Sequence, residues 1–172
     1  MTKLEKFIEE LKLVPLVGEG GYWVRAYESK MELGANDLNI CTTKHPLYNS
    51  IYFIMTEKTF SHMHVLKNDE LWFYHYGPSV EMLFVFPDSH SEIHVLGPNV
   101  DKGERPQILC PKGVYQGAHL LNSGEFTLLS TLNIPGYLDE DFTSSNYEEL
   151  KPLLSEESHK RLLKKLTGEI EF

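Results

Sequence analysis

Between residues 22 and 134 the chain is a train of short segments whose side chains alternate with a period of two, and this limits the fold more than any other feature. The segments fall at 22–28, 51–55, 61–65, 70–76, 80–86, 92–96, 107–110, 117–121 and 126–134, rich in aromatic and β-branched residues. Turn signals divide them: Gly77-Pro78, Pro87-Asp88, Gly97-Pro98-Asn99, Asp101-Lys102-Gly103, Pro111-Lys112-Gly113 and Asn122-Ser123-Gly124. No helical stretch stands between the strands to serve as a parallel crossover. The pattern predicts an all-β antiparallel sandwich or barrel.

At both ends the period changes to 3.6. Thr2 and Glu5 have capping-box spacing, and Leu4, Phe7, Ile8 and Leu11 share a face, so a helix is expected over 3–13 and is stopped by Pro15 and Gly18. Near the other end, EESHKRLLKKL carries Leu162, Leu163 and Leu166 on one stripe, with acidic residues first, basic residues last and Gly168 beyond. A second helix is expected there, over 156–167. No repeat or linker divides the chain, which predicts a single domain over 1–172 with a barrel core at about 20–135.

Charge and cysteine usage exclude several partners and settings. With 25 acidic and 16 basic residues the formal charge is -9, and no basic stripe offsets it. Nucleic acid and anionic membrane surfaces do not suit such a chain. No apolar run reaches the roughly 20 residues of a spanning helix. MTKLEKFIEELKL mixes charge into every turn, unlike a signal peptide. Cys41 and Cys110 stand far apart without a C-x-x-C companion, so neither a disulfide framework nor a zinc knuckle is expected, and the expected setting is cytoplasmic.

The densest chemistry is HMHVLKNDELWFYHYG, from His62 to Gly77. Residues two apart on a strand share a face, so His62 and His64 are expected to present both imidazoles to one side. An antiparallel return strand would bring Glu70 to the same region. Two imidazoles and a carboxylate make the facial ligand set of divalent transition metals. On the return strand Glu70, Trp72, Tyr74 and Tyr76 share one face, an aromatic wall with hydroxyl and indole handles suited to a small organic ligand. Upstream, Glu19-Gly20-Gly21-Tyr22 joins an acid to two glycines that permit close backbone approach.

A second block, GERPQILCPKGVYQGAHLLN from Gly103 to Asn122, completes a pair of motifs. Together the blocks resemble the cupin superfamily, in the order H-x-H, Glu, Gly, then P-x-G and a further ligand position. The resemblance sharpens to the uncharacterised family called cupin five, over roughly residues 14–142. It is carried by EGGYWVRAYES, SIYFIMT, FSHMHVLKNDELW, GERPQ, PKGVYQGA and PGYLDEDF. It implies a single jelly-roll β-barrel of the RmlC-like kind, usually dimeric, with a pocket in its mouth. The N-terminal segment is expected to add a strand to a partner's sheet in a homodimer.

The resemblance also implies a ligand set of His62, His64, Glu70 and Gln116 around a divalent transition metal: Fe, Mn, Ni or Zn. Gln116 stands where metal-dependent cupins place a third histidine, and its amide oxygen is the weaker ligand. His62 restores a histidine that the closest family often lacks. Val17 and Gly18 replace a histidine and proline that commonly precede the acid at Glu19. His119, three residues beyond Gln116, is expected on the outer face.

Three functions remain open on these residues. One is a metal-dependent enzyme of oxygenase or isomerase type. Another is a metal-free enzyme similar to sugar epimerases, with His64 as base and Tyr74 or Tyr115 as acid. The third is a binding module in which Glu19, Tyr22, Trp72, Tyr115 and Gln116 hold a small molecule without chemistry. Arg25 and Arg105 are read as ion-pair or anion-binding residues. Cys110, His45, His90, His94 and His159 are read as structural or surface positions.

Overall fold

The computed structural model describes residues 1–35 and 43–170; Cys41 lies outside them. The strands are β1 Val14–Pro15, β2 Tyr22–Glu28, β3 Glu32–Leu33, β4 His45–Pro46, β5 Asn49–Thr56, β6 Ser61–Leu66 and β7 Asp69–Tyr76. They continue as β8 Val80–Val85, β9 Ser91–Leu96, β10 Gln107–Cys110, β11 Tyr115–Leu120, β12 Phe126–Ile134 and β13 Phe142–Ser144. The helices are α1 Lys3–Leu11, α2 Tyr147–Leu150 and α3 Glu157–Leu166.

All nine expected strands form, and all named strands pair antiparallel. One sheet runs in the order β1-β2-β5-β12-β7-β10, the other β13-β6-β11-β8-β9, and β3 pairs with β4. The two large sheets face each other as a jelly roll, with alternate residues turned inward. Inward residues of both build the main core, including Phe53, Met55, Trp72, Met82, Phe84, Leu96 and Leu129.

Helices cover the outer faces. Thr2 and Glu5 make the reciprocal capping box that starts α1. Its apolar side packs Leu4, Phe7, Ile8 and Leu11 against Ile54, Phe126 and Tyr22. Leu162, Leu163 and Leu166 of α3 pack on Phe60, Met63, Leu83 and Val85 of the second sheet. Burying such a stripe contributes about 1.5–3 kcal/mol per leucine. None of the helices is long and apolar enough to cross a membrane among the described residues.

The N-terminal strand β1 pairs with β2, Val14 opposite Trp23. One detail differs from expectation. A register shift between β7 and β12 separates Tyr74 from Tyr76. Tyr76 therefore leaves the inner face, and its ring meets Phe7 at 5.7 Å and Phe126 at 5.5 Å beneath α1.

Candidate functional site

The core fills one end of the sandwich and leaves a cavity of about 130 Å³ at the other. Its floor holds His64, Glu70 and Asn133, its walls include Trp23, Ile51, Leu66 and Phe142, and Glu19, Arg25, Tyr137 and Asp139 complete it. A larger hollow of about 590 Å³ lies around Lys67, Lys112 and Asn68. There the histidine and the aspartate are spent on structure: His45 Nε2 lies 3.1 Å from Asp141 Oδ2, which also accepts from Leu138 N and Asn68 Nδ2. We take the smaller cavity as the candidate site because perturbed acids and a histidine meet in it.

Glu19 reaches the cavity through tight backbone contact. His62 N donates to Glu19 O at 2.7 Å, which ties the loop to β6. Gly20 follows with φ +103°, and a Cβ there would overlap the Phe60 carbonyl oxygen. Only glycine allows both the left-handed angle and that approach. The 135–141 connection is fixed comparably: Asn49 Nδ2 donates to Tyr137 O and Tyr137 N donates to Asn49 Oδ1, both at 2.9 Å. Tyr137 is thereby held at the rim.

His62 and His64 do not share a face. Gln116 pairs with His64 and Ala118 with Ser61, so His62 and Met63 together oppose Gly117 in a β-bulge. Met63 and the neighbouring Phe60 pack toward α3, and the His62 ring stacks on Phe60 at 6.2 Å, away from the cavity lining. His64 points inward, stacked on Phe142 at 5.1 Å. Its Nδ1 lies 2.7 Å from His62 O and must donate there, which leaves Nε2 as the lone-pair nitrogen, 3.9 Å from Glu19 Oε1.

Behind the floor stands a relay of buried groups. Trp72 Nε1 donates to Gln116 Oε1 at 2.9 Å, and Gln116 Nε2 donates to Glu70 Oε2 at 2.6 Å. An indole N–H can only donate, so the amide oxygen of Gln116 must face Trp72 and its NH₂ must face the carboxylate. Trp72 is 2% exposed and belongs to the core, not to the cavity wall.

Other candidates lie elsewhere. Tyr74 donates its hydroxyl to Gly77 O at 2.6 Å at the far end of the core. Tyr22 packs on the α1 side and Tyr115 on the α3 side. His119 faces outward, its Nε2 2.9 Å from Glu81 Oε2 and its Nδ1 2.8 Å from Lys165 Nζ. Cys110 is buried in the core and its thiol is pushed up by burial. Trp23, Asn49, Asn133 and Tyr137 were not singled out by sequence. The inward alternation of Trp23 and Arg25 after Glu19-Gly20-Gly21 was the signal available for the first of these.

Burial is the main electrostatic influence in the cavity. It raises Glu19 to about 7, with the Ser61 hydroxyl drawing it slightly the other way. The Glu19 side chain nevertheless keeps 22% of its surface open at the mouth, so water tempers the effect. Burial likewise raises Glu70, against the pull of His64 and with the push of Glu19. It lowers His64, opposed by Glu70 and by the His62 carbonyl. All three groups are driven toward their neutral forms.

The donors do not fit the expected metal set. His62 is turned away, the Gln116 oxygen is taken by Trp72, and one oxygen of Glu70 is taken by Gln116. Among the described residues no three or more His, Cys, Asp or Glu side chains are grouped so that they could hold a metal ion.

A jelly roll with a cavity between its two sheets, whose chain carries the H-x-H and Glu block followed by the P-x-G block, defines the cupin class. The family model Cupin_5, described as Cupin superfamily (DUF985), matches residues 5–145, and the chain belongs to that family. It is similar to a Shewanella oneidensis protein of known structure at 32% identity, covering 98% of this chain and 99% of that one, with a TM-score of 0.82. A hypothetical protein from Leishmania major is 26% identical over 98% of this chain and 100% of its own, with a TM-score of 0.84. Oxalate decarboxylase from Bacillus subtilis shares the fold at 15% identity and a TM-score of 0.52, and the match covers 81% of this chain and 34% of that one. None of the curated proteins matches the sequence.

Proposed function

We propose that this cupin is a small-molecule enzyme that moves protons without a metal, of isomerase or epimerase type. The observation that carries the reading is the fixed tautomer of His64: Nδ1 is held by the His62 carbonyl, and Nε2 faces the cavity as a base. Glu19 is the candidate acid, protonated in part near neutrality and 3.9 Å from that nitrogen. Glu70 is oriented by Gln116 and offers its other oxygen to a substrate hydroxyl or to the charge that develops on His64. Glu19 takes the acid's role in place of a tyrosine, because Tyr74 and Tyr115 lie outside the cavity.

Deuterium exchange tests this reading directly. Chelator-treated protein in D₂O should exchange a carbon-bound proton of one or more small hydroxy or oxo compounds, followed by proton NMR. His64→Ala should slow that exchange by at least about a hundredfold. Exchange that appears only after metal is added would contradict the proposal. Binding of such compounds with no exchange would favour the binding-module reading instead.

A homodimer is also proposed. Leu71 and Phe73 of β7, Leu109 of β10 and Ile134 of β12 alternate with core residues and so share the outer face of the six-stranded sheet, beyond α1. Leu109 is 48% and Ile134 44% exposed there. A second copy would cover this apolar face and the β10 edge. Light scattering should give a mass of two chains, and Leu109→Lys/Ile134→Lys should give one. A mass of one chain for the unaltered protein contradicts this.

A further inference from the structure

We infer that the cavity takes a small carboxylic acid of about three or four carbons that carries a hydroxyl or carbonyl oxygen next to the carboxyl group. The inference rests on the acid-base reading of the same site and names its substrate class. The volume of about 130 Å³ is well below the roughly 300 Å³ where pockets for larger organic ligands begin. A hexose or a sugar nucleotide is therefore too large for the enclosed part.

Charge and hydrogen-bonding capacity narrow the class further. Arg25 is the cationic side chain among the lining residues. It alternates with Trp23 on the inner face of β2, and one guanidinium nitrogen pairs with Glu28 at 3.2 Å, outside the lining. A guanidinium has five N–H donors, so a fork remains for a ligand carboxylate. Asn133, 5% exposed, lines the cavity directly opposite Glu70 in the strand register, and its Nδ2 has no partner among the described residues. A buried amide N–H of this kind calls for an acceptor oxygen. Ile51, Leu66 and Phe142 give the carbon skeleton an apolar wall. A simple amine would suit the acids but would leave both Arg25 and Asn133 without an acceptor.

Calorimetric titration of the full chain at pH 6 with lactate, glycerate, pyruvate, propionate, glycerol, propylamine and gluconate tests the inference. The three-carbon acids should bind at least tenfold more tightly than glycerol or propylamine, and gluconate should not bind. Arg25→Met should weaken the acids about tenfold to a hundredfold and leave glycerol unchanged, with Arg25→Lys in between. Asn133→Ala should weaken lactate and pyruvate more than propionate, which lacks the second oxygen. Equal or tighter binding of glycerol or propylamine, or acid binding indifferent to Arg25, would overturn the inference. Arg25-dependent acid binding with no deuterium exchange would keep this substrate class and refute proton transfer. Exchange on a neutral compound with no Arg25 dependence would do the reverse.

Discussion

Gln116→Leu is expected to destabilise the protein by about 3–5 kcal/mol, measured by urea unfolding, although the side chains have similar volume. The cost is electrostatic. Gln116 is 1% exposed and occupies both of its neighbours: its oxygen accepts from Trp72 Nε1 and its NH₂ donates to Glu70 Oε2. Leucine would leave a buried indole donor and a buried carboxylate oxygen unpaired, at about 1–3 kcal/mol each and more where the group is charged. Replacing the relay together, as Trp72→Phe/Gln116→Leu/Glu70→Leu, should recover much of the loss, because no polar group is then stranded. A single Gln116→Leu effect below about 1 kcal/mol would mean that the relay is not formed in solution.

Glu19→Gln should make the protein more stable at pH 8 by about 1–3 kcal/mol and leave it nearly unchanged at pH 4. The folded protein holds Glu19 at about 7, above the ordinary value of 4.5, so the folded state binds the proton more tightly than the unfolded chain. The resulting stabilisation is present in full below 4.5 and is lost as pH rises through about 7. Glu70, also raised, acts in the same direction. His64 is lowered from 6.5, so its contribution is present above 6.5 and is lost as pH falls through its folded value. A Glu19→Gln variant whose stability tracks the unaltered protein at every pH would show that Glu19 is solvated and ordinary.

The strands and their faces were legible because a period of two survives in sequence wherever a strand is regular. On β7 it correctly sets Glu70, Trp72 and Tyr74 inward, and on β11 it sets Gln116 inward and His119 outward. It fails at irregularities. One extra residue opposite Gly117 is enough to turn His62 out of the face that H-x-H spacing assigns to it, and nothing in the local sequence marks that bulge. A similar shift moves Tyr76 beneath α1. The two glycines after Glu19 marked that acid and resemblance marked Gln116, but the orientation of the Gln116 amide depends on Trp72, forty-four positions away in sequence and on the facing sheet. Asn133 and Tyr137 enter the cavity through strand register and loop path, which no local motif encodes.

His64, Glu19 and Glu70 are proposed to act together as the proton-transfer site of this barrel. The most direct measurement is NMR of chelator-treated protein with ¹⁵N-labelled histidine and ¹³C-carboxyl-labelled glutamate, titrated between pH 4 and 9. His64 should stay a neutral Nδ1–H tautomer at and above neutral pH, and one glutamate should titrate near 7 and be absent from the Glu19→Gln spectrum. An Nε2–H tautomer for His64, or a Glu19 that titrates near 4.5, would contradict it.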